Sequence, residues 1–374
     1  MARHTNMMNI NRKKTFVILI IAVIGYLNFN SNQKLAAAAH NVRGSKAEAL
    51  FSAIFSTIGD GFASLMETAD SLPTDALSSR MTNVKGCLAD PFVYAIYNHG
   101  RNNIIEGYGY KNDVYGLVLG TDNVWATNEK YFRLGIALGY MRMSAVFSSD
   151  FSKIIRIAPQ FFNFSEKFKV NLSQDIYAVR LFGAYESFND KCLKTNFGVI
   201  IGYNYNDDKP LSFGSHIVSL RTEFIKNLYA YDGYQFGLWL QQNYSLILQY
   251  TNGAGKLQDF NFGFSHNFFV TVIGLNVEKE TFKHGDKKLT LSLKTGWECR
   301  VMQHSSAIFN IAITNSSDIY GFFNFRYPSR NAAIVSFRAS QKLNNHWNIV
   351  GSYSTRFNKN IAIHNLSCGV EYAF

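Results

Sequence analysis

The chain has 374 residues, 15% of them aromatic (21 Tyr, 32 Phe and 4 Trp) against only 5 Pro, and a formal net charge of +11. That composition favours strands over helix and over disorder, while Lys and Arg scattered along the chain, with no basic run interleaved with aromatics, argue against a nucleic-acid partner. Its four cysteines, Cys87, Cys192, Cys299 and Cys368, show no Cys-x-x-Cys spacing and no His at metal-ligand distance, so neither a metal nor another cofactor is expected.

The N-terminus carries Arg3, Arg12, Lys13 and Lys14 and leads into the apolar run Phe16 to Leu27. This is the layout of a signal peptide over residues 1–39, with Ala36 to Ala39 offering a cleavage site before His40; an uncleaved anchor is the alternative. Downstream no apolar run approaches the ~18 residues that a membrane helix needs, so a spanning structure there can only be a closed barrel. Residues 40–86 read as a helical linker or a vestigial passenger. Leu50, Phe51, Ile54, Phe55, Ile58, Phe62, Leu65 and Met66 recur at helical spacing from Ser45 to Leu72, and Ser45 with Glu48 forms a capping box. Leu72-Pro73 is expected to stop this helix ahead of a second one, Thr74 to Asn83. The linker's carboxylates, Asp75 among them, outnumber Lys46 and Arg80. Its second half is expected inside a barrel, with the apolar stripe Leu50 to Met66 protruding.

From Pro91 the pattern turns to period-2 segments parted by polar turns. In Val114 to Thr121, Tyr115, Leu117 and Leu119 share one face. In Phe132 to Arg142, Phe132, Leu134, Ile136, Leu138 and Tyr140 oppose Arg133, Gly135, Ala137, Gly139 and Met141. Aromatics end the greasy stripe as interface girdles do. Further strands read at Phe92 to His99, Asp175 to Tyr185, Asn196 to Tyr205, Ile217 to Lys226, Phe236 to Tyr250, Phe260 to Val277, Leu289 to Met302, Ala332 to Leu343, Trp347 to Arg356 and Leu366 to Phe374. The class is all-β: a transmembrane antiparallel up-and-down barrel of about 12 strands over residues 87–374. Ala307 to Ile313 and Ile319 to Phe325 leave that count open by two. If the first strand runs outward from the periplasm, the longest connections, Ser148 to Asn171 and Gln303 to Asn331, fall together on the cell exterior, as such barrels require.

Several of these segments resemble, in order, strands of the autotransporter translocator barrel: Tyr115-Gly-Leu-Val-Leu-Gly120, Arg133-Leu-Gly-Ile-Ala-Leu-Gly-Tyr140, Glu223-Phe224, Leu293-Lys-Thr-Gly-Trp297, Ser336 to Leu343, Trp347 to Tyr353 and Cys368-Gly-Val-Glu-Tyr-Ala-Phe374. The resemblance spans about residues 72 to 374. It implies a twelve-stranded outer-membrane barrel threaded by a helix and accompanying secretion of an N-terminal passenger. It also implies that Phe374, Tyr372 and Val370 form the terminal signature read by the barrel-assembly machinery. The passenger is nearly absent here, leaving about Ala39 to Leu72. Although Arg80-Met81 resembles the linker of self-cleaving members, Leu77 and Ser78 stand where that linker has its Asn pair, so no autocleavage is expected.

Strand parity turns Arg133, Arg180, Arg221, Lys294, Arg338 and Lys342 inward with Glu223, Glu298 and Glu371, a net basic wall. Parity turns Cys299 and Cys368 towards lipid, and no structural disulfide is expected within the barrel. No His-Glu-x-x-His, Gly-x-Ser-x-Gly or phosphate loop is present, and His99, His216, His266 and His304 lie on different segments as isolated surface histidines. The function expected is an outer-membrane translocator or its stand-alone remnant, monomeric, with outer-membrane lipid and the assembly machinery as partners and no enzymatic activity. A small porin-like or surface-adhesive barrel and a rim-site hydrolase are the alternatives.

Overall fold

The computed structural model describes residues 63–78, 90–105, 108–126, 130–150, 167–187, 191–203, 211–253, 260–282, 288–311, 319–325 and 331–372. One helix, α1 (63–78), precedes thirteen strand segments: β1 Asp90–Ile105, β2 Tyr108–Ala126, β3 Lys130–Asp150, β4 Lys167–Ser187, β5 Lys191–Tyr203, β6 Leu211–Tyr231, β7 Tyr234–Gly253, β8 Phe260–Phe282, β9 Lys288–Ile311, β10 Ile319–Phe325, β11 Ala332–Lys342, β12 Trp347–Phe357 and β13 Ile361–Tyr372. Each pairs antiparallel with its neighbours, and β13 returns to β1, from Phe92 opposite Glu371 to Asn102 opposite Ile361. The sheet closes on itself.

Thirteen segments fill twelve positions in the wall. Phe325 of β10 lies opposite Ser305 of β9, and Ala332 of β11 lies opposite Glu298, seven residues further along on both sides. β10 and β11 therefore lie on one line in one register, as successive parts of one wall position. A twelve-stranded up-and-down barrel results, the class that the period-2 pattern indicates, and 307–311 belongs to β9 rather than to a separate strand.

Because side chains alternate across a strand, each wall strand sorts its residues between lumen and exterior. Outward lie Leu117 and Leu119, Leu134, Ile136 and Leu138, Val179 and Leu181, Leu238 and Leu240, Ile273 and Leu275, and Leu366 and Val370, each between 38% and 65% exposed. A continuous belt of aliphatics, with Tyr97, Tyr115, Tyr140 and Tyr177 at one edge and Trp125, Phe132 and Trp347 at the other, is a surface that lipid solvates and water does not. Among the described residues no helix is long and apolar enough to cross a membrane. The strands cross it instead.

The strands outrun the belt. β3 and β4 stay paired out to Asp150 and Lys167, so both ends of the expected connection Ser148 to Asn171 are ladder; β9 and β10 occupy most of Gln303 to Asn331. Beyond the belt outward residues such as Arg142, Ser144 and Ser148 are exposed and polar, so alternation fades although backbone pairing continues. At the opposite mouth the connections are short. β6 and β7 join through Asp232 and Gly233, with φ of 49° and 74°, the backbone of a two-residue hairpin.

Candidate functional site

The lumen holds α1, and its wall is two-faced. On β2 to β8 the inward positions are largely apolar: Val114, Val118, Met141, Met143, Ile176, Ile200, Ile217, Ile247 and Phe268 form one buried cluster with Leu65, Met66, Ala69, Leu72, Ala76 and Leu77 of the helix. On β9 and β11 to β13 they are mostly polar, including Ser292, Lys294, Glu298, Ser336, Arg338, Ser352, Ser354, Asn365, Ser367 and Glu371. The helix lays its aliphatic side on the first sector and turns hydroxyls and carboxylates to the wall around the second. This corrects two expectations. Leu65 and Met66, the end of the apolar stripe, are 0% and 1% exposed inside the barrel rather than protruding, because the sector they meet is not wet. And the helix runs unbroken through Pro73.

A proline inside a helix removes a backbone bond and costs about 3 kcal/mol. Here side chains crowd the affected turn: the Asp70 carbonyl accepts from the Thr74 hydroxyl at 2.9 Å and from Arg180 at 3.0 Å, and the Thr68 carbonyl accepts from Ser71 at 2.8 Å. Burial of Leu72, Ala76 and Leu77 adds packing that local propensity does not contain.

Three carboxylates fix the helix to three arms of the wall. Asp70 pairs with Arg180, which is 1% exposed, and accepts from Ser219 at 3.0 Å, while Arg180 also donates to Ser219 at 2.8 Å. Gly198, opposite Arg180 in the ladder, leaves room for the guanidinium: a Cβ there would lie 2.2 Å from Nη1. Asp75 pairs with Arg221 at 2.5 Å and accepts from Ser354 at 3.2 Å and Asn365 at 3.0 Å. Glu67 pairs with Arg300 and, at 3.5 Å, with Arg356, whose other arm reaches Glu298 at 2.5 Å. Hydroxyls finish both ends. Ser64 accepts from Asn102 at 2.8 Å and Tyr110 at 3.1 Å, and Ser78 donates to Glu223 at 2.9 Å.

These contacts give the helix a direction. Asn102 and Tyr110 flank the far mouth, where β1 ends and β2 begins, whereas Glu223 lies towards the mouth at which β1 starts. α1 therefore runs antiparallel to β1, carrying the chain from the far mouth back to the near one. Its 16 residues span about 24 Å at 1.5 Å each, close to the ~25 Å apolar band of such barrels.

The other residues marked by parity are placed as follows. Arg133 is buried against Asp122 at 3.2 Å, and Lys294 pairs with Glu223. Glu371 accepts from Tyr94 and, at 2.8 Å, from Asn348. Arg338 is buried beside a lumen cavity of about 140 Å³ that runs along the helix. Lys342 is exposed at the rim, since the wall ends there. Val370 and Tyr372 face outward on β13, with Trp347 edge-on to the Tyr372 ring at 4.8 Å. Arg80, Phe374, Cys87, the signal segment and the first part of the linker lie outside the described residues. Cys299 and Cys368 are exposed and free. Glu67 and Asp70 are among the linker carboxylates that the sequence sets against a basic wall, and both meet wall arginines here; Arg300 and Arg356 were missed as their partners. Arg300 and Arg356 shared inward parity with Glu298 and Ser354, which was the available signal. Of the histidines, His99 is exposed and 2.9 Å from Asp113, but His266 is no surface residue: it is buried in the lumen, stacked on Phe268. Among the described residues no His, Cys, Asp and Glu cluster could hold a metal ion.

No known protein family matches the sequence. No curated protein matches it either. Solved structures do. The translocator domain of the autotransporter NalP from Neisseria meningitidis is similar with a TM-score of 0.56 at 14% identity, over 80% of this chain and 93% of that one. The β-domain of the Bordetella autotransporter BrkA gives 0.52 at 12% identity, over 76% and 99%. The transport unit of the autotransporter AIDA-I from Escherichia coli gives 0.52 at 11%, over 81% and 96%. The chain has the fold of these barrels.

Proposed function

We propose that this protein is an outer-membrane translocator barrel of the autotransporter type, with α1 as the segment left in the pore once the chain ahead of it has crossed. The observation that carries this reading is the direction of α1. Ser64 is held at the far mouth and Ser78 towards the mouth where β1 begins, so the helix follows the whole apolar band with its N-terminus at the far side, the direction of a segment whose leading chain has been exported. A pore built for solutes gains nothing from a helix held by three carboxylates in its bore. The likeness to translocator domains supports the same reading, as does the lipid-fit belt for placement in the outer membrane. The role is mechanical and not enzymatic. The protein acts as a monomer whose partners are outer-membrane lipid and the assembly machinery that reads Val370, Tyr372 and Phe374.

The test is topological. An epitope inserted between residues 40 and 62 of the full chain is expected to be labelled by antibody on intact cells and cut by added protease. Labelling only after the outer membrane is permeabilised overturns the proposal in favour of a plugged pore that exports nothing.

A further inference from the structure

Every other buried cation of the described lumen faces a carboxylate; Arg338 does not. It is 8% exposed, and its Nε and Nη2 donate to nothing among the described residues. An unpaired ion taken out of water costs several kcal/mol, so a guanidinium in this state calls for a counter-charge. Nothing beside it on the wall supplies one. The ladder sets Ser292 and Ser352 directly opposite Arg338, and Ser336 and Ser340 lie two residues away on the same face of β11. All four neighbours are serines.

Their hydroxyl protons are the second observation. Ser340 spends its proton on Asn348 at 3.1 Å, and Ser292 spends its own on Asn276 at 3.3 Å. Ser352 and Ser367 share one bond at 2.6 Å, so one of the two keeps a free O–H. Ser336 has no hydrogen-bond partner among the described residues. Free donors thus surround the cavity at this point, and no carboxylate does. The cavity, about 140 Å³, touches Arg338, Ser336, Ser352 and Ser367. Its carboxylates Glu67, Asp70, Asp75 and Glu298 are each engaged by a wall arginine.

We propose that Arg338, Ser336 and the Ser352–Ser367 pair form a binding site for a small monovalent inorganic anion, chloride being the abundant one, in the lumen beside the helix. One uncompensated positive charge selects a single negative charge. A phosphate dianion would leave an excess negative charge in its place. At ~30 Å³ per water, the cavity has room for a halide with a few waters around it. The anion gives Arg338 the counter-charge that the other buried cations of the described lumen already have.

The experiment compares thermal unfolding of the refolded full chain in potassium chloride and in potassium gluconate at equal ionic strength, gluconate being too large for the site. Chloride, or bromide in its place, is expected to raise the unfolding midpoint in a saturable way. Arg338→Met should abolish that dependence and, having removed a buried charge, unfold later than the parent in gluconate. Ser336→Ala should weaken the halide response without abolishing it, which keeps the test decisive if Arg338→Met does not refold. Bromide-soaked crystals should show an anomalous peak at Arg338. Equal midpoints in the two salts for the parent chain, or a halide response that survives Arg338→Met, overturns the proposal and assigns the cavity to water. The outcome is independent of whether the barrel exports its N-terminal segment.

Discussion

Substitution of Asp70 by alanine isolates the strongest single hold on the helix. Its partner Arg180 is 1% exposed and is walled in by Ser219, Gly198 and the Asp70 carbonyl. Removing one member of a buried pair leaves the other charge uncompensated, a loss of about 3–5 kcal/mol. At about 1.4 kcal/mol per tenfold, that shifts the equilibrium between seated and unseated helix by about two to four orders of magnitude. In planar bilayers the parent barrel should stay largely closed, and Asp70→Ala should show frequent long openings. Arg180→Leu alone should do the same, by exposing the carboxylate to an apolar neighbour. The double variant Asp70→Leu with Arg180→Leu should close again, because apolar residues of similar volume replace buried pairs at little net cost, and the surrounding cluster of Ile176, Ile217 and Leu72 is apolar already. A double variant whose openings match the product of the two singles would show that the charges act independently. That result refutes the pairing as the clamp.

Other perturbations test the wall. A closed barrel has no free strand edge, so unheated samples should migrate ahead of the boiled 42.3 kDa chain in detergent gels; identical migration would argue for an open sheet. Ile136→Arg, in the middle of the greasy stripe of β3, should destabilise by about 2–4 kcal/mol in lipid-refolded urea titrations, and Tyr140→Arg, at the stripe's aromatic edge, by about 0–1; equal costs would remove the belt from the bilayer. A Cβ on Gly369 would lie 2.0 Å from the Tyr94 ring, so Gly369→Ala should cost about 1–3 kcal/mol by overpacking, and adding Tyr94→Ala should relieve that clash term in a double-mutant cycle.

The wall was legible because lipid imposes a strict rule on it. Every residue that faces the bilayer must be apolar, so Tyr115, Leu117 and Leu119, or Phe132 through Tyr140, announce strand, face and register together. The rule ends where the bilayer ends. Past Tyr140 the outward residues become Arg142, Ser144 and Ser148, and the ladder continues with nothing in the alternation to show it. The same limit hid the join between β10 and β11, whose common line is visible only from their shared partner β9. Pro73 misled for a different reason. Its cost is local, whereas what offsets it, the packing of Leu72 and Leu77 into one cluster with β1 to β8, comes from residues distant in the chain.

The position of the helix was misjudged through a single premise, that the bore is polar throughout. The inward residues of β2 and β3 contradict it in the sequence itself. Val114 and Val118 alternate with Tyr115, Leu117 and Leu119, so both faces of β2 are apolar there, and Met141 and Met143 keep the inner face of β3 apolar even where its outer face has turned polar. A strand that is greasy on both sides is buried on both sides, and inside a barrel the only thing available to bury the inner face is another segment of the same chain. Leu65, Met66, Ala69 and Leu72 recur at helical spacing and match that need, while Glu67, Asp70 and Asp75 fall where they meet Arg300, Arg180 and Arg221. Apolar burial favours any seating depth that covers Leu65 and Met66. The three ion pairs, at successive levels of the bore, permit only one.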